Sequence, residues 1–341
     1  MGSMRKPKRR TRRRGLSRRL RRALVGVMAL LAAALAFAIE YTGGRGVLPD
    51  WSELYALLGV PMDAPDATLL ENSTTTVTVL DVGQGDAVLV GQDGVYCLID
   101  TGTAESGPVL VRDLQLAGVT ELEYLFLTHP HADHTGGVWD VLESLPVGEL
   151  VLADWQPRDG DETDWPYGLT DYAAEAGTTV TVAADGEDYI LGNGTLTVLQ
   201  GGSTEETYRD QLPGDANNAS LCLLFEAGGF RYLSTGDAET KAERLLVDRY
   251  GRSLQATLYK AGHHGSQTSS SEELLAAVRP QMAAISCGVD NDYGHPHATV
   301  LRRLQEYGVE VWRTDTVGSI TFTYHNGALE AHPVQLQDAA A

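Results

Sequence analysis

Short apolar runs of strand length alternate with longer amphipathic segments from Thr76 to the C-terminal region. An apolar run bounded by turn residues predicts a strand, and an apolar period of three to four residues predicts a helix that covers a sheet. Strands are predicted at Val77–Leu80, Ala87–Val90, Val95–Ile99, Tyr124–Leu127, Glu149–Leu152, Thr179–Val182, Leu196–Leu199, Ser220–Glu226, Phe230–Ser234, Thr257–Lys260, Ala283–Ser286, Glu310–Trp312 and Ser319–Thr323. Helices are predicted at Val109–Ala117, Val138–Leu145, Asp171–Glu175, Glu239–Tyr250, Ser271–Val278 and Ala298–Tyr307. The alternation predicts one domain of the α/β (α+β) class over residues 76–333, in which helices cover sheets.

The N-terminal region divides into a basic block and an apolar run. Residues 1–22 hold many Arg and Lys residues and no acidic residue, and residues 23–39 are uncharged and rich in Leu and Ala. This length is at the short end of what spans a bilayer, and a basic flank stays on the cytoplasmic side. We expect a basic cytoplasmic N-terminus, one membrane-spanning signal anchor at 23–39, and a domain outside the cell membrane. The alternative is a signal peptide cleaved near Ala36-Phe37-Ala38, which would make the protein secreted.

Two segments without a clear apolar period flank the predicted domain. Residues 40–75 contain several Pro and Gly residues and one short helix candidate, Trp51–Leu58, and we expect them to act as a linker. Residues 334–341 are expected to form a short tail. The domain therefore accounts for most of the chain.

The charged residues are distributed unevenly. Twelve of the 26 Lys and Arg residues lie in residues 1–22, whereas all 46 Asp and Glu residues follow that block. An acidic body disfavours non-specific nucleic-acid binding, which needs basic side chains to displace counterions. The alternative is a local basic patch in the C-terminal half, formed by Lys260, Arg279, Arg302, Arg303 and Arg313.

The strongest chemical signal is the segment Thr128–Gly137, which directly follows a predicted strand. It contains His129, His131, Asp133 and His134, that is, three imidazoles and a carboxylate within a few residues. Imidazole nitrogen suits zinc, and a carboxylate allows a second or harder ion such as manganese. If the strand continues, His129 and His131 point the same way, while Asp133 and His134 serve a neighbouring position. The spacing predicts two adjacent divalent metal ions, with Asp133 also placed for catalysis.

Two further strand ends supply candidate ligands. Asp237 follows the strand Phe230–Ser234 and precedes a helix, so that it is either a helix N-cap or a carboxylate that bridges both ions. We expect the bridging role, with a water held between the ions as hydroxide. His263 and His264 follow the strand Thr257–Lys260. We expect His263 to be the ligand and His264 to serve catalysis, although the sequence leaves both assignments open.

Three aspartates at other strand ends are candidates for supporting the ligands. Asp81 and Asp86 flank a Gly-rich turn, which is either a structural hairpin or a support for a metal ligand. Asp100 ends a buried strand and either forms an Asx turn or orients His129 or His131.

A helix start and several polar residues are further candidates. His297 begins a predicted helix, where a histidine is suited to receive a substrate anion or to act as an acid. The alternative is a plain helix start with exposed histidines. Contacts with the ligands or the substrate are also expected for Asn217, Asn218, Ser220, Lys260, Ser266 and His295.

Eight segments together form a distinctive ordered set: Leu80–Ala87, Asp100–Gly102, Thr128–Gly137, Asn217–Leu221, Thr235–Asp237, His263–Ser266, Gly294–His297, and Thr314-Asp315 with Gly318-Ser319. This set resembles the metallo-β-lactamase superfamily, and within it the C-terminal metallo-hydrolase domain of ComEC competence proteins. The resemblance covers about residues 75 to 330. It implies an αββα sandwich whose strand-end loops hold a dinuclear metal site between the sheets.

Two departures from the family pattern bear on function. Full-length ComEC proteins carry an OB-like domain and a multispan channel region, whereas this chain has one apolar span, so we do not expect it to form a DNA pore. Many superfamily members have a third histidine for the first metal, and this chain has no histidine between His134 and His263. Water, Asn217 or Asn218 would then complete that site, or the site would fill only with substrate present.

The motifs and the resemblance imply a metal-dependent hydrolase with two divalent ions, Zn²⁺ or Mn²⁺. The preferred substrate is a phosphodiester, with single-stranded DNA as the candidate, because two ions can neutralise phosphoryl oxygens during attack by hydroxide. The alternatives are a hydrolase of small or cell-envelope phosphoesters, and a non-catalytic binding module for DNA uptake or the envelope. The membrane is the expected partner of the N-terminal helix, and no obligate protein partner is evident.

Overall fold

A computed structural model describes residues 64–155, 168–201 and 216–334 of the protein. The predicted membrane anchor at 23–39 lies outside these ranges, as do the basic block before it and nearly all of the predicted tail. No helix in the described ranges is long and apolar enough to cross a membrane.

The described residues form fifteen strands. They are β1 (Thr75–Val79), β2 (Val88–Gln92), β3 (Val95–Ile99), β4 (Leu122–Leu127), β5 (Val147–Leu152), β6 (Thr179–Val182), β7 (Asp188–Leu191), β8 (Gly194–Gln200), β9 (Cys222–Ala227), β10 (Phe230–Ser234), β11 (Leu258–Lys260), β12 (Met282–Ile285), β13 (Glu310–Arg313), β14 (Ile320–His325) and β15 (Ala328–Pro333).

The strands form two sheets with similar designs. The first has the order β15-β14-β1-β2-β3-β4-β5-β6, and the second has the order β13-β12-β11-β10-β9-β8-β7. In each sheet one part is antiparallel and the other is parallel: β3 to β6 in the first sheet and β10 to β13 in the second. Ligand sites in such sheets lie at the carboxyl ends of parallel strands. The loops after β3, β4, β10 and β11 are therefore the places to look for a functional site.

Nine α-helices accompany the sheets. They are α1 (Ala67–Asn72), α2 (Gly107–Leu116), α3 (Ala132–Thr135), α4 (Val138–Ser144), α5 (Leu169–Glu175), α6 (Thr240–Tyr250), α7 (Glu272–Val278), α8 (Ala298–Glu306) and α9 (Thr314–Val317) in the described part of the chain.

Three apolar cores bind these layers together. One core lies between the sheets and joins residues such as Phe126 of β4 to Tyr189 and Phe225 of the second sheet. A second core packs α2, α4 and α5 on the outer face of the first sheet, and a third packs α6, α7 and α8 on the second. Burying one face of each helix and both faces of each sheet produces four layers. The predicted αββα sandwich is confirmed for the described residues.

The sequence pattern missed the strands β7 and β15 and the helices α1, α3 and α9. The edge strand β7 and the strand β15 alternate buried and exposed residues over a short length, so neither shows a continuous apolar run. The helix α1 lies in the segment 40–75, which we expected to be a linker, and its Leu70 is buried in the core under the first sheet. The last part of that segment therefore belongs to the folded domain, because Leu70 contributes apolar surface to the core.

A buried carboxylate holds the loop that follows the two adjacent histidines. Glu243 of α6 is fully buried and accepts hydrogen bonds from the backbone N–H groups of Ser270 and Ser271, the latter at 2.8 Å. Arg303 of α8 donates to the carbonyl oxygens of Ser269 and Ser270. Burial raises the pKa of Glu243 to about 7 despite the hydrogen bonds from the serines. This loop is thus tied to two helices of the outer layer.

Removing the Phe126 ring is expected to weaken the packing between the sheets. Phe126 has no exposed surface, and its ring meets Tyr189 edge-on at 5.1 Å. We expect Phe126→Ala to lower the free energy of unfolding by about 3–5 kcal/mol, because deleting a buried ring leaves a cavity. Val182→Ala, at a residue 55% exposed on edge strand β6, should stay within about 0.5 kcal/mol of the parent protein. Urea titration followed by tryptophan fluorescence measures both, and equal losses would contradict this account of the core.

Candidate metal centre

Loops at the carboxyl ends of parallel strands bring the predicted site residues together. The loop after β4 carries His129 to His134, and the loops after β10 and β11 carry Asp237 and the pair His263 and His264. The turn before β2 joins them through the Asp86 N–H, which donates to the Asp133 carbonyl oxygen at 3.0 Å. A Cβ atom on the neighbouring Gly85 would lie 2.5 Å from that same oxygen. Glycine is therefore required for the close approach of this turn.

Asp237 lies at the centre of a buried cluster of imidazoles. Its Oδ2 atom is 3.4 Å from Nε2 of His134, 3.6 Å from Nε2 of His264 and 3.9 Å from Nε2 of His129. Asp133 adds a second carboxylate, with Oδ2 at 3.3 Å from Nε2 of His264. Four of these five residues are buried, and Asp133 is partly exposed. Two carboxylates and three imidazoles thus face one another in a space largely closed to solvent.

The donor atoms of this cluster fit a divalent cation. Among the described residues, His134 Nε2, His264 Nε2 and Asp237 Oδ1 are buried without a hydrogen bond of good geometry. A buried polar atom without a partner costs about 1–3 kcal/mol, so several such atoms around one space indicate a site for a cation. Mutually close ligand atoms, within 4.8 Å, occur in the groups His129–His134–Asp237, Asp133–His134–His264, Asp86–Asp237–His264 and Asp86–Asp100–His134. Mixed nitrogen and oxygen donors suit ions such as Zn²⁺ and Mn²⁺.

His131 takes a different position from the other histidines of its motif. Its Nδ1 atom lies 3.0 Å from Nε2 of His129, and its side chain is exposed. It belongs to none of the close donor groups found among the described residues. The predicted ligand His131 therefore lies beside His129 at the solvent side of the cluster.

The two adjacent histidines take positions opposite to those that we expected from the sequence, with His264 and not His263 buried in the cluster. His264 is buried and directs Nδ1 toward the Ser286 carbonyl oxygen at 3.1 Å, so that its Nε2 faces the cluster. The ring of His263 is 21% exposed, with Nε2 at 3.6 Å from Asp237 and Nδ1 at 3.5 Å from Glu239. Both residues have left-handed φ angles, 50° and 53°, which turn the second ring inward. The geometry favours His264 as the metal ligand and leaves His263 on the open side.

Asp100 supports a different histidine from the ones we expected. Its Oδ2 lies 2.7 Å from Nδ1 of His134, and its link to His129 runs through the Thr128 hydroxyl, which is 3.0 Å from Nδ1 of His129. The same carboxylate accepts hydrogen bonds from the N–H and the hydroxyl of Thr128, at 2.7 and 2.8 Å. A carboxylate at Nδ1 fixes the orientation of the ring and makes Nε2 the metal-facing atom.

Lys260 and Asp86 form a buried ion pair behind the cluster. The Lys260 ammonium donates to Asp86 at 2.7 Å and to the Ala261 carbonyl oxygen at 3.1 Å, and the lysine is only 1% exposed. The other Asp86 oxygen is 3.3 Å from Nδ1 of His264. Burial would raise the pKa of Asp86, but the charges of Lys260 and His264 outweigh it and lower that pKa. Lys260 therefore neutralises a supporting carboxylate and does not face a substrate.

The pKa values of the cluster follow from this mutual pairing. Burial would lower the pKa of His264, but Asp237 and Asp86 raise it to about 10. Burial would raise the pKa of Asp133, but His264 and His134 lower it to about 2. The imidazoles and carboxylates of the cluster thus stabilise one another's charged forms.

The polar segment before β9 contributes one direct support and one cavity wall. Ser220 Oγ accepts from the Asp237 N–H at 3.1 Å and lies 3.4 Å from Nδ1 of His129. The Asn218 side-chain oxygen accepts from the Glu239 N–H at 3.2 Å and so helps to start α6. Of the two asparagines that we considered as substitutes for a third histidine, only Asn217 lines the cavity at the cluster.

Three other residues that we expected to contact the ligands or the substrate bond to other groups in the structure. Asp81 accepts from the Gly83 N–H at 3.1 Å, which is the Asx turn of a hairpin. Ser266 pairs its hydroxyl with that of Thr268 at 3.0 Å. His297 Nδ1 accepts from the Gln267 N–H at 3.1 Å at the start of α8, and His297 is not part of the cavity lining. The structure therefore favours the plain helix start over a substrate contact for His297.

A solvent-accessible cavity of about 340 Å³ opens onto the cluster. Its walls contain His131, Asp133, Asn217, Asp237, His263, His264 and His295, together with Gln84, Ala132 and Tyr293. We did not predict a site role for Gln84, Ala132 or Tyr293 from the sequence. Gln84 lies in the Gly-rich turn and Tyr293 directly precedes Gly294-His295, so their positions inside two of the motifs were the available signal.

The family follows from a match between this chain and a known sequence profile. Residues 80–289 match the profile described as the metallo-beta-lactamase superfamily. The chain belongs to that superfamily. Its members are typically metal-dependent hydrolases, in agreement with the donor cluster.

Curated relatives of this superfamily member include competence proteins. The chain is 31% identical over 312 residues to competence protein ComA of Neisseria gonorrhoeae, covering 90% of this chain and 40% of the relative. It is 32% identical over 286 residues to ComE operon protein 3 of Bacillus subtilis, covering 77% and 35%. The chain thus spans less than half the length of either relative. Among solved structures, the metallo-beta-lactamase fold protein YhfI from Bacillus subtilis is similar, at 12% identity and a TM-score of 0.46, covering 70% of this chain and 96% of that one.

Removing the buried ammonium should expose its supporting role. We expect Lys260→Met to lower the free energy of unfolding by about 3–5 kcal/mol, because Asp86 would remain buried without its counter-ion. Divalent metal affinity should fall roughly tenfold to hundredfold, the usual effect of losing an outer partner of a ligand. Urea titration and calorimetric titration with Zn²⁺ or Mn²⁺ measure the two effects. The same change at exposed Lys241 is the control, and equal metal affinity in both variants would argue against the role of Lys260.

Proposed function

We propose that this protein is a metal-dependent phosphodiesterase that acts on the outer side of the cell membrane. The observation that carries the proposal is the cluster of His129, His134, His264, Asp133 and Asp237. His134, His264 and Asp237 have buried atoms without a hydrogen-bond partner, and Asp133, Asp237 and His264 line a cavity open to substrate. Phosphodiester hydrolysis needs charge neutralisation around phosphorus and a positioned water, and this donor set is suited to hold the ions that provide both.

The residues of the cluster divide into those that hold ions and those that orient them. Bound divalent ions would lower the pKa of a water and neutralise charge on the phosphoryl oxygens. The five residues of the cluster would hold the ions, and Asp100 and Asp86 keep the rings of His134 and His264 turned toward them. His263 lies on the cavity wall beside Asp237 with its ring partly exposed. It is placed to donate a proton to the leaving oxygen, whereas from the sequence we expected His264 to serve catalysis.

Single-stranded DNA outside the membrane is our first candidate substrate. One of the curated relatives is named as a competence protein, and competence is the uptake of DNA. The apolar run at 23–39, with its basic flank, supports an anchor that holds the domain on the outer side. A secreted protein after signal cleavage is the alternative location.

A smaller or cell-envelope phosphoester is the second candidate, and the positions of the basic residues favour it. Lys260 is buried against Asp86, and Arg313 pairs with Asp315. Arg303 is bonded to loop carbonyl oxygens. Two further members of the patch that we considered are also engaged: Arg279 donates to the Ala276 carbonyl oxygen, and Arg302 pairs with Glu306. A strand with many phosphates would find few cations here, whereas a small ester needs only the metal cluster.

Hydrolysis of bis-p-nitrophenyl phosphate by the full-length protein in detergent micelles tests the enzyme proposal. With Zn²⁺ or Mn²⁺ present we expect release of p-nitrophenol. Asp237→Ala should reduce kcat/KM by more than about a hundredfold, because even outer partners of metal ligands contribute that much. Asp171→Ala, at an exposed aspartate of α5, should retain activity. Metal binding without turnover would instead support the non-catalytic binding module.

Cleavage assays at several salt concentrations separate the two candidate substrates. If single-stranded DNA is the substrate, kcat/KM for a short oligonucleotide should stay level or rise from about 50 to 200 mM salt. Over this range salt screens the repulsion between the acidic surface and the strand. It weakens binding little, because few basic side chains contact phosphates. A steep fall would reveal phosphate-binding cations and contradict this prediction. Turnover of the small ester without DNA cleavage at any salt would exclude the nuclease.

A further inference from the structure

A ladder of aromatic rings leads from solvent to the metal cluster. The ring of Tyr293 lies over that of His295, with centroids 5.6 Å apart and an interplanar angle of 19°. His295 in turn stacks on His264, at 6.1 Å and 27°. His264 is buried in the cluster, His295 is 9% exposed, and Tyr293 is 67% exposed at the cavity wall. The outermost ring therefore presents surface to solvent beside the place where a phosphoryl group would bind.

The loop that carries Tyr293 is held in one conformation by its own hydrogen bonds. The side-chain amide of Asn291 donates to the carbonyl oxygens of Gly288 and His295, at 2.9 and 2.7 Å, and its oxygen accepts from the His295 N–H at 2.9 Å. The Gly288 N–H donates to the Gln84 side chain at 3.2 Å. Gln84 also approaches Nδ1 of His295 at 3.4 Å. The backbone on either side of Tyr293 is thus held in place, and the ring of Tyr293 is stacked on that of His295, which reduces the entropy lost on binding.

An exposed aromatic ring in this position is suited to bind a planar group. A single exposed tyrosine is ordinary on a protein surface, but this one is stacked on a fixed ring and lines the cavity of the metal cluster. Stacking of bases on aromatic rings is the main sequence-tolerant contribution to single-strand binding, and it does not require cations. The five basic residues that we considered as a patch bond to other groups of the protein, and stacking is a contact that does not depend on them.

We propose that Tyr293 is a stacking platform for a nucleobase of the strand whose phosphate lies at the metal cluster. The base belongs to the same nucleotide as that phosphate or to its neighbour. The platform rests on the proposed phosphodiesterase function and narrows its substrate class to nucleotides, because an aliphatic phosphodiester has no ring to stack. It also supplies a binding contact that the acidic surface otherwise lacks.

Binding of two oligomers with equal backbone charge tests the platform. The full-length protein in detergent micelles, loaded with Mn²⁺, is titrated into fluorescein-labelled phosphorothioate oligo(dT), and into an equally long phosphorothioate oligomer of abasic tetrahydrofuran units. Fluorescence anisotropy measures binding without requiring turnover. We expect the parent protein to bind oligo(dT) about fivefold more tightly or better, as one stacked base contributes.

The variants assign that preference to one ring. Tyr293→Phe should keep it, whereas Tyr293→Ala and Tyr293→Leu should abolish it without changing the affinity for the abasic oligomer. Leu retains an apolar side chain at this exposed position. If the Ala variant fails to fold, the result for the Leu variant decides. Tyr307→Ala, at another exposed tyrosine, should behave as the parent. Equal binding of both oligomers by the parent, or an undiminished preference in the Leu variant, would overturn the proposal.

The same data keep the two proposals apart. A base preference that depends on Tyr293, in a protein that cleaves no phosphodiester, would leave the platform standing and remove the enzyme. Turnover of bis-p-nitrophenyl phosphate without any base preference would do the opposite.

Discussion

The buried carboxylates Asp86, Asp100 and Asp237 set the main constraint on this fold. Each is at most 3% exposed, and an ionised carboxylate in such a place is strongly destabilising unless a cation or hydrogen-bond donors lie against it. Lys260 compensates Asp86 and His134 compensates Asp100, while several imidazoles surround Asp237. Lys260 ends β11 and His134 follows β4, and these strands lie in different sheets. Asp86 and Asp237 are therefore neutralised only when both sheets are in place, whereas Asp100 meets His134 within the first sheet.

This arrangement also explains why the cluster can hold metal while its surroundings stay rigid. Asp100 occupies Nδ1 of His134, and the Ser286 carbonyl oxygen occupies Nδ1 of His264 with Asp86 close by, so that the opposite nitrogen of each ring is left facing Asp237. The glycine at position 85 brings the turn that carries Asp86 into contact with the loop of the metal motif. Outer partners of this kind orient the ligands and tune their basicity. The chemistry of the site thus depends on residues that never face the substrate.

The acidic surface and the metal cluster impose different demands on a substrate. With divalent ions bound, the cluster would attract phosphoryl groups, whereas an acidic surface repels extended polyanions. A ligand that combines one phosphoryl group with a planar ring meets both conditions, because stacking contributes affinity without added positive charge. The cavity places His263 and Asn217 beside the cluster and Tyr293 at its margin. Under the proposed function, charge and shape together favour nucleotide-like esters over long strands bound by their backbone.

The sequence alone determined the layered fold class, the metal motif and the strand ends that carry it. Strands β3, β6 and β10 lie where the apolar runs predict them, because a local pattern encodes periodicity and chain breaks. Only the tertiary structure decided that His264 turns inward, that Asp100 orients His134, that Lys260 is buried, and that Leu70 belongs to the core. Each of these depends on atoms far away in the chain: Ser286 and Asp86 hold the His264 ring, and Asp86 pairs with Lys260 across more than half of the sequence. Such contacts leave no trace in local spacing, because ring orientation and charge pairing arise only when the two sheets pack together.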